Sequence, residues 1–240
     1  MPNDYFQFQQ FRIEQGACAM KVSTDACLLG AALDLTDATR LLDIGTGTGL
    51  LALMAAQRHP TVGIEAVEID EAAADQAAAN AAASPWAPRI RVLPRSLAQH
   101  AATQPAPYSH LVCNPPFFGN SWPSTDKARR TARHAGEASL SFEELAEFAA
   151  GFLLPDGTLT VLLPPPEMAR FEAVAAAVGL PLVGRLAVRH RPGGRVTRHI
   201  SRFGRSSTAV AETELLIHSG PGSAYSPTFE KLLAGFYLAL

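Results

Sequence analysis

The sequence predicts a doubly wound α/β fold. A mostly parallel sheet of seven strands carries helices on both faces, with an antiparallel strand near the C-terminus and a short N-terminal addition. Three observations predict it. Short apolar runs alternate with helical patterns from Leu41 onward. The first run, Leu41-Leu42-Asp43-Ile44, passes through Gly45-Thr46-Gly47-Thr48-Gly49 straight into an apolar helix pattern. The next run, Ile64 to Glu68, ends on an acid. A chain of 240 residues can bury one good core, so one domain with small additions is expected.

Taken in order, Phe6-Gln7-Phe8-Gln9-Gln10-Phe11 alternates ring and amide, which suits an edge hairpin continued by Arg12-Ile13-Glu14. Met20 to Leu35 reads as helical after Thr24-Asp25, with Thr24 as the cap. Strands are expected near 41–44, 64–68, 90–93, 110–113, 158–163 and 182–189. Helices are expected near 49–58, 71–83, 141–153 and 167–178. Ser84-Pro85-Trp86-Ala87-Pro88 closes the second of these helices, and Gly193-Gly194 turns between late antiparallel strands. Tyr225-Ser226-Pro227 opens a last helix reaching Leu240, whose Phe229, Leu232, Leu233, Phe236 and Tyr237 stripe is core.

The three cysteines, Cys18, Cys27 and Cys113, lack metal spacing and read as reduced thiols. No leader and no apolar run of membrane length is apparent, so a cytoplasmic monomer without membrane or metal is expected. The net charge of −2 excludes an overall basic protein. Its distribution is uneven. Between Glu172 and Glu212 there is no Asp or Glu, but there are seven arginines, including Arg195 and Arg198. A second cluster holds Lys127, Arg129, Arg130 and Arg133, with His134. Both read either as solvated basic faces or as contacts to a phosphate backbone.

The chemistry is expected where the strands end. After Leu111-Val112-Cys113 comes Asn114-Pro115-Pro116-Phe117. It is either a proline-rich turn or a grip for a planar amino group. In the second reading the Asn114 amide and the Pro115 carbonyl accept its two hydrogens, and Phe117 stacks on its ring. Such an amine is a poor nucleophile, and two acceptors favour its pyramidal, attacking form. Gly45, Gly47 and Gly49 form G-x-G-x-G, with Leu50 where a dinucleotide fingerprint needs its last glycine. The expected cradle uses close backbone approach and free helix N-terminal N–H groups. Asp43 suits the amino group of a phosphate-free cofactor such as S-adenosylmethionine. Glu68, about twenty residues beyond the glycines, suits both ribose hydroxyls. With Ser96, four loops converge on one crevice at the C-terminal strand ends. By themselves these residues indicate methylation of an amino group on an anionic partner.

The chain resembles the bacterial tRNA-valine adenine-37 N6-methyltransferases, within the Rossmann-like class I S-adenosylmethionine-dependent fold. The resemblance rests on Phe8-Gln9-Gln10-Phe11, Cys18 to Asp25, Leu28-Leu29-Gly30, Asp43-Ile44-Gly45, Leu50 to Met54, Ala66-Val67-Glu68, Asn80, Ser84-Pro85-Trp86, Asn114 to Phe117, Arg130 and Phe236-Tyr237-Leu238. It implies S-adenosylmethionine as cofactor and the anticodon loop of a tRNA as partner, with N6-methyladenosine as product. It places residues 1–35 as an extension or lid, with Lys21 and Thr24 over the cofactor, and 36–240 as the catalytic domain. The family usually has Asp where this chain has Ser96, against the cofactor's adenine amino group. It often has Asp where this chain has Ser109, before the fourth strand. N5-methylation of a protein glutamine and N2-methylation of an rRNA guanine use the same kind of pocket and stay open as alternatives.

Overall fold

The computed structural model describes residues 4–18, 20–115, 140–205, 210–220, 222 and 224–239. A hairpin comes first, β1 (Tyr5–Gln7) paired with β2 (Arg12–Glu14), followed by α1 (Thr24–Ala32). The main sheet is built from β3 (Arg40–Ile44), β4 (Gly63–Glu68), β5 (Ile90–Pro94), β6 (Tyr108–Cys113), β7 (Leu153–Leu163), β8 (Leu182–Arg189), β9 (Val196–Gly204) and β10 (Ala211–Leu216). Among the described residues, six α-helices follow α1: α2 (Leu50–Arg58), α3 (Glu71–Ala82), α4 (Leu97–Ala102), α5 (Phe142–Phe152), α6 (Pro165–Ala177) and α7 (Pro227–Leu233).

The sheet order is β10-β8-β9-β7-β6-β3-β4-β5. Only β9 runs against its neighbours, β7 and β8; the other pairings are parallel. From β3 the chain builds outward through β4 to β5, then returns to lay β6 on the other side of β3. The order reverses between β3 and β6, where Ile44 pairs with Cys113. Ligands bind beyond strand C-termini at such a reversal.

Side-chain alternation explains the two cores. Leu41, Ile64, Ala66, Val112 and Leu162 face a cluster with α1, α2, α7 and the hairpin. Leu42, Ile44, Val67, Leu111, Cys113 and Val161 face the opposite cluster, with α5 and α6. Alanine-rich α3 has high intrinsic helix propensity and is capped by Asp70, which accepts from Ala73 N at 2.8 Å. A polar chain binds the start of β3, the middle of β4 and the start of β6. The Tyr108 hydroxyl donates to Glu65 at 2.5 Å, and Arg40 pairs with the same oxygen at 2.6 Å. Ser109 Oγ accepts from Thr39 N and Arg40 N at 3.0 and 3.1 Å and donates to Arg40 O at 2.8 Å. A carboxylate at 109 would accept from both amides but could not donate to that carbonyl.

Three expectations are corrected. The sheet has eight strands, because Ala211-Glu212-Thr213-Glu214 extends it beside β8. Four consecutive exposed residues hide an edge strand from any apolar pattern. The last helix ends at Leu233, short of Leu240, and Phe236 and Tyr237 enter the core from the segment after it. The cap of α1 is Ser23, whose Oγ accepts from Ala26 N at 3.3 Å; Thr24 is the first helical residue. Among the described residues no helix is long and apolar enough to cross a membrane.

Helix α1 approaches α2 closely through Gly30. A Cβ there would stand 2.5 Å from Met54 Sδ and 3.1 Å from Met54 Cβ. Gly30→Val should therefore lower stability by about 1–3 kcal/mol through overpacking. Adding Met54→Ala should recover part of that loss. Thermal unfolding of the single and double variants checks both, and an unshifted midpoint for Gly30→Val would contradict the packing.

Candidate active site

Strand β3 delivers Asp43 to the face covered by α2, where it is fully buried. Its Oδ2 accepts from Thr46 Oγ1 at 2.5 Å and from Ala52 N at 3.2 Å. One carboxylate thereby ties the strand, the glycine loop and the first turn of α2. Its Oδ1 is buried without a hydrogen-bond partner among the described residues. Burial is the main cause that pushes the Asp43 carboxyl up to about 7, opposed by its two hydrogen bonds and aided by nearby Glu68.

Gly45, Gly47 and Gly49 all have positive φ, at 70°, 55° and 82°. That is why the pattern needs glycine at alternate positions. A Cβ on Gly45 or Gly47 would meet no atom within 4 Å, so the loop is open on that side. Four of its amides are engaged within the protein. Gly45 N and Thr46 N donate to Val67 O, Gly49 N to Thr46 O, and Gly47 N to Glu68 Oε2 at 2.9 Å. A loop whose amides are engaged this way leaves few N–H groups of its own for a pyrophosphate. It suits a cofactor held by carboxylates and by backbone shape.

Glu68 ends β4 and also accepts from Asp70 N at 3.1 Å through Oε1. Each of its oxygens keeps a lone pair for a further donor. Ile69, 51% exposed, extends apolar surface at the same edge. Ser96 follows β5 and caps α4 in a reciprocal box. Its Oγ accepts from Gln99 N at 3.1 Å, and Gln99 Oε1 accepts from Ser96 N at 2.8 Å. Asp is an equally good cap, so a Ser there preserves the helix start. Asn114 follows β6, and its Oδ1 is also buried without a partner among the described residues. Pro115 beside it is buried. Buried Cys113 is raised well above its usual range, by burial first and then by the charges of Asp43 and Glu68. The three strand ends thus share one electrostatic neighbourhood.

The structure therefore brings together Asp43, Gly45, Gly47, Gly49, Glu68, Ser96, Asn114 and Pro115 on one sheet edge. Two buried acceptors, Asp43 Oδ1 and Asn114 Oδ1, await donors there. A cofactor with an ammonium group and a substrate with an exocyclic amine fit this set. Thr24 is exposed, and Lys21 Nζ lies 3.8 Å from Asp4 Oδ1. Phe117, Lys127, Arg129, Arg130 and Arg133 lie outside the described residues.

The acid-free stretch is not an acid-free surface. Arg185 pairs with Glu172 and Glu212, Arg189 with Glu214, Arg198 with Asp25 at 2.7 Å, and Arg202 with Asp34. Arg205 is held by the carbonyls of Ala150, Leu153 and Leu154. The acids come from α1, α6 and β10 and from the residues just after α1, all distant in sequence. Arg198, read as an RNA contact, is thus an ion-paired residue in the fold. His190, Arg191 and Arg195 are exposed in the β8–β9 hairpin, on the edge where β3 and β6 also end. Asn80, part of the family resemblance but without an expected role, is a buried amide that joins the glycine loop to the N-terminal hairpin.

Because the fold raises the Asp43 carboxyl from 3.8 to about 7, it favours the protonated form. The group costs no stability below the unfolded value and its full penalty above about pH 7. Asp43→Asn should thus stabilise the protein more at pH 8 than at pH 5, read by thermal unfolding. An equal effect at both pH values would show that Asp43 ionises normally.

Comparisons agree with this geometry. The methyltransferase small domain family matches residues 17–162. A tRNA1(Val) (adenine(37)-N6)-methyltransferase of Dyadobacter fermentans is 40% identical over 239 residues, covering 98% of each chain. Proteins of the same name from Aeromonas hydrophila and Bacteroides thetaiotaomicron are also 40% identical, covering 99% and 100% of both chains. Among solved structures, a predicted O-methyltransferase from Agrobacterium tumefaciens superposes with a TM-score of 0.63 at 21% identity, over 88% of this chain and 96% of that one. A ribosomal protein L11 methylase from Lactobacillus delbrueckii gives 0.56 at 16% identity, over 81% and 84%. These two share the class I methyltransferase fold. With a switch-point site of this kind and full-length relatives at this identity, the chain belongs to the tRNA1(Val) (adenine(37)-N6)-methyltransferase family.

Proposed function

We propose that the protein transfers a methyl group from S-adenosylmethionine to N6 of adenine 37, beside the anticodon of tRNA(Val). The observation that carries the reading is the buried Oδ1 of Asn114 at the strand-order reversal, without a partner among the described residues. Bound at the glycine loop, S-adenosylmethionine supplies an electrophilic methyl on a sulfonium. Asp43 Oδ1 would accept from its amino group and Glu68 from its ribose hydroxyls, and exposed Ile69 would offer apolar surface to its base. Ser96 Oγ, which already accepts one amide, has a second lone pair for the base's amino hydrogen.

Asn114 and Pro115 orient the adenine amine. Two acceptors hold its hydrogens, so its lone pair leaves conjugation and points at the methyl. They also stabilise the positive charge that grows on nitrogen. No strong base would be required before transfer: the N–C bond would form as the sulfonium S–C bond breaks, the neutral thioether would leave with the electron pair, and the acidic ammonium would then lose its proton to water. Phe117 is assigned to stack on the adenine, and an anticodon-loop base reaches such a pocket at low unstacking cost. The exposed hairpin cations Arg191 and Arg195 lie where the phosphates flanking that base would pass. Lys127, Arg129, Arg130 and Arg133 are assigned to the same backbone.

Asn114→Ala should slow methyl transfer about 100- to 1,000-fold while the affinity for S-adenosylmethionine stays near wild type. Labelled-methyl incorporation into tRNA together with cofactor calorimetry checks this, and wild-type turnover would refute the pocket. Neutralising Arg191 and Arg195 together should lower the slope of log affinity against log salt by about 1.5. Arg185→Gln, which removes an ion-paired cation, should leave that slope unchanged. Equal slopes in all three proteins would remove the hairpin from the RNA surface.

A further inference from the structure

Asn80 lies on α3 and is 3% exposed. Its amide reaches in two directions. Nδ2 donates to Thr48 O at 2.9 Å, in the glycine loop, and to Glu14 O at 2.8 Å, on β2. Oδ1 accepts from Glu14 N at 2.9 Å. One side chain therefore continues the backbone pairing of β2 and at the same time pins the loop between Gly47 and Gly49.

Its neighbours on the same helix face act alike. Gln76 and Ala77 stand four and three residues before Asn80, so all three share one face of α3. Gln76 Oε1 accepts from Ala17 N at 2.9 Å. A Cβ on Gly49 would already touch Ala77 at 3.4 Å, so α3 packs directly on the loop. Beyond Ala17 the chain passes the end of β4, where burial first, and then the charges of Glu68 and Asp70, raise the Cys18 thiol. Gln15, 4% exposed, accepts from Val22 N at 2.9 Å and closes the segment over that edge.

We infer that Asn80 is a positioning residue that couples the glycine loop to the N-terminal segment, so that cofactor binding at the loop and ordering of residues 12–18 favour each other. The inference rests on S-adenosylmethionine occupying the loop. The physical basis is the shared amide. Thr48 O and the Glu14 backbone can both be satisfied only when the loop and β2 stand in one relative position. A cofactor that fixes the loop therefore fixes β2, and by reciprocity an ordered β2 tightens the cofactor. A purely structural role predicts lost stability without that linkage.

Asn80→Asp keeps the shape and the acceptor for Glu14 N, but sets a carboxylate against two carbonyl oxygens. Asn80→Ser removes the same bridge without adding charge, and serves if the first variant does not fold. Calorimetry with S-adenosylmethionine alone and hydrogen exchange of the full chain, with and without cofactor, read the coupling. In the wild type, saturating cofactor should slow exchange at residues 12–18 as well as at 45–50. In either variant the dissociation constant should rise about tenfold. At saturation the variants should protect 45–50 but no longer 12–18. A variant that binds like wild type, or that still protects 12–18, overturns the coupling. Wild-type protein that shows no cofactor binding defeats the functional reading beneath it, and that result is separately visible in the first titration.

Discussion

The site depends on one buried carboxylate. Asp43 ends a central strand and holds Thr46 and Ala52 with a single oxygen. It is the common anchor of the backbone turn from β3 to α2, and it acts together with the bonds from the loop to Val67 O, Glu68 and Asn80. The interaction is costly, because a carboxylate loses its hydration there. The cost is reduced if the group stays protonated or if a cationic ligand meets its other oxygen. A fold that retains such a group at a ligand-binding edge is prepared for an ammonium.

The same edge explains why charge is distributed as it is. The parallel strands β3 to β8 aim their C-termini one way, and the β8–β9 hairpin projects from that side. Farther down the sheet, arginines of β8 and β9 meet acids of α1, α6 and β10 and contribute to packing. Toward the hairpin tip His190, Arg191 and Arg195 face solvent, and past the end of β9 so does Arg205, held by carbonyls. The exposed hairpin cations thus lie on the sheet edge that carries Asn114, while Arg185, Arg189, Arg198 and Arg202 are paired with acids.

Much of this was legible in the sequence because it is local. Strand-turn-helix at Leu41 to Arg58, the acid at Glu68 and the proline turn after Cys113 each involve adjacent residues, and parallel topology then brings them together. What could not be read depends on distant partners. Arg198 looks like a free cation until Asp25, far away in sequence, is placed beside it. The loop amides look available until Val67 and Glu68 take them. β10 carries no apolar alternation, since its pairing with β8 is made by backbone. Asn80 belongs to the family resemblance, but its burial between two segments is a tertiary fact that neither spacing nor pattern reveals.

The central claim is that the pocket formed by Asn114 and Pro115 holds the exocyclic amine of one tRNA adenine. Its most direct measurement is incubation of the protein with S-adenosylmethionine and unmodified tRNA, followed by mass spectrometry of the digested RNA. The account predicts N6-methyladenosine at position 37 of tRNA(Val). Methylation of a guanine, or of a protein glutamine with the tRNA left unchanged, would contradict it.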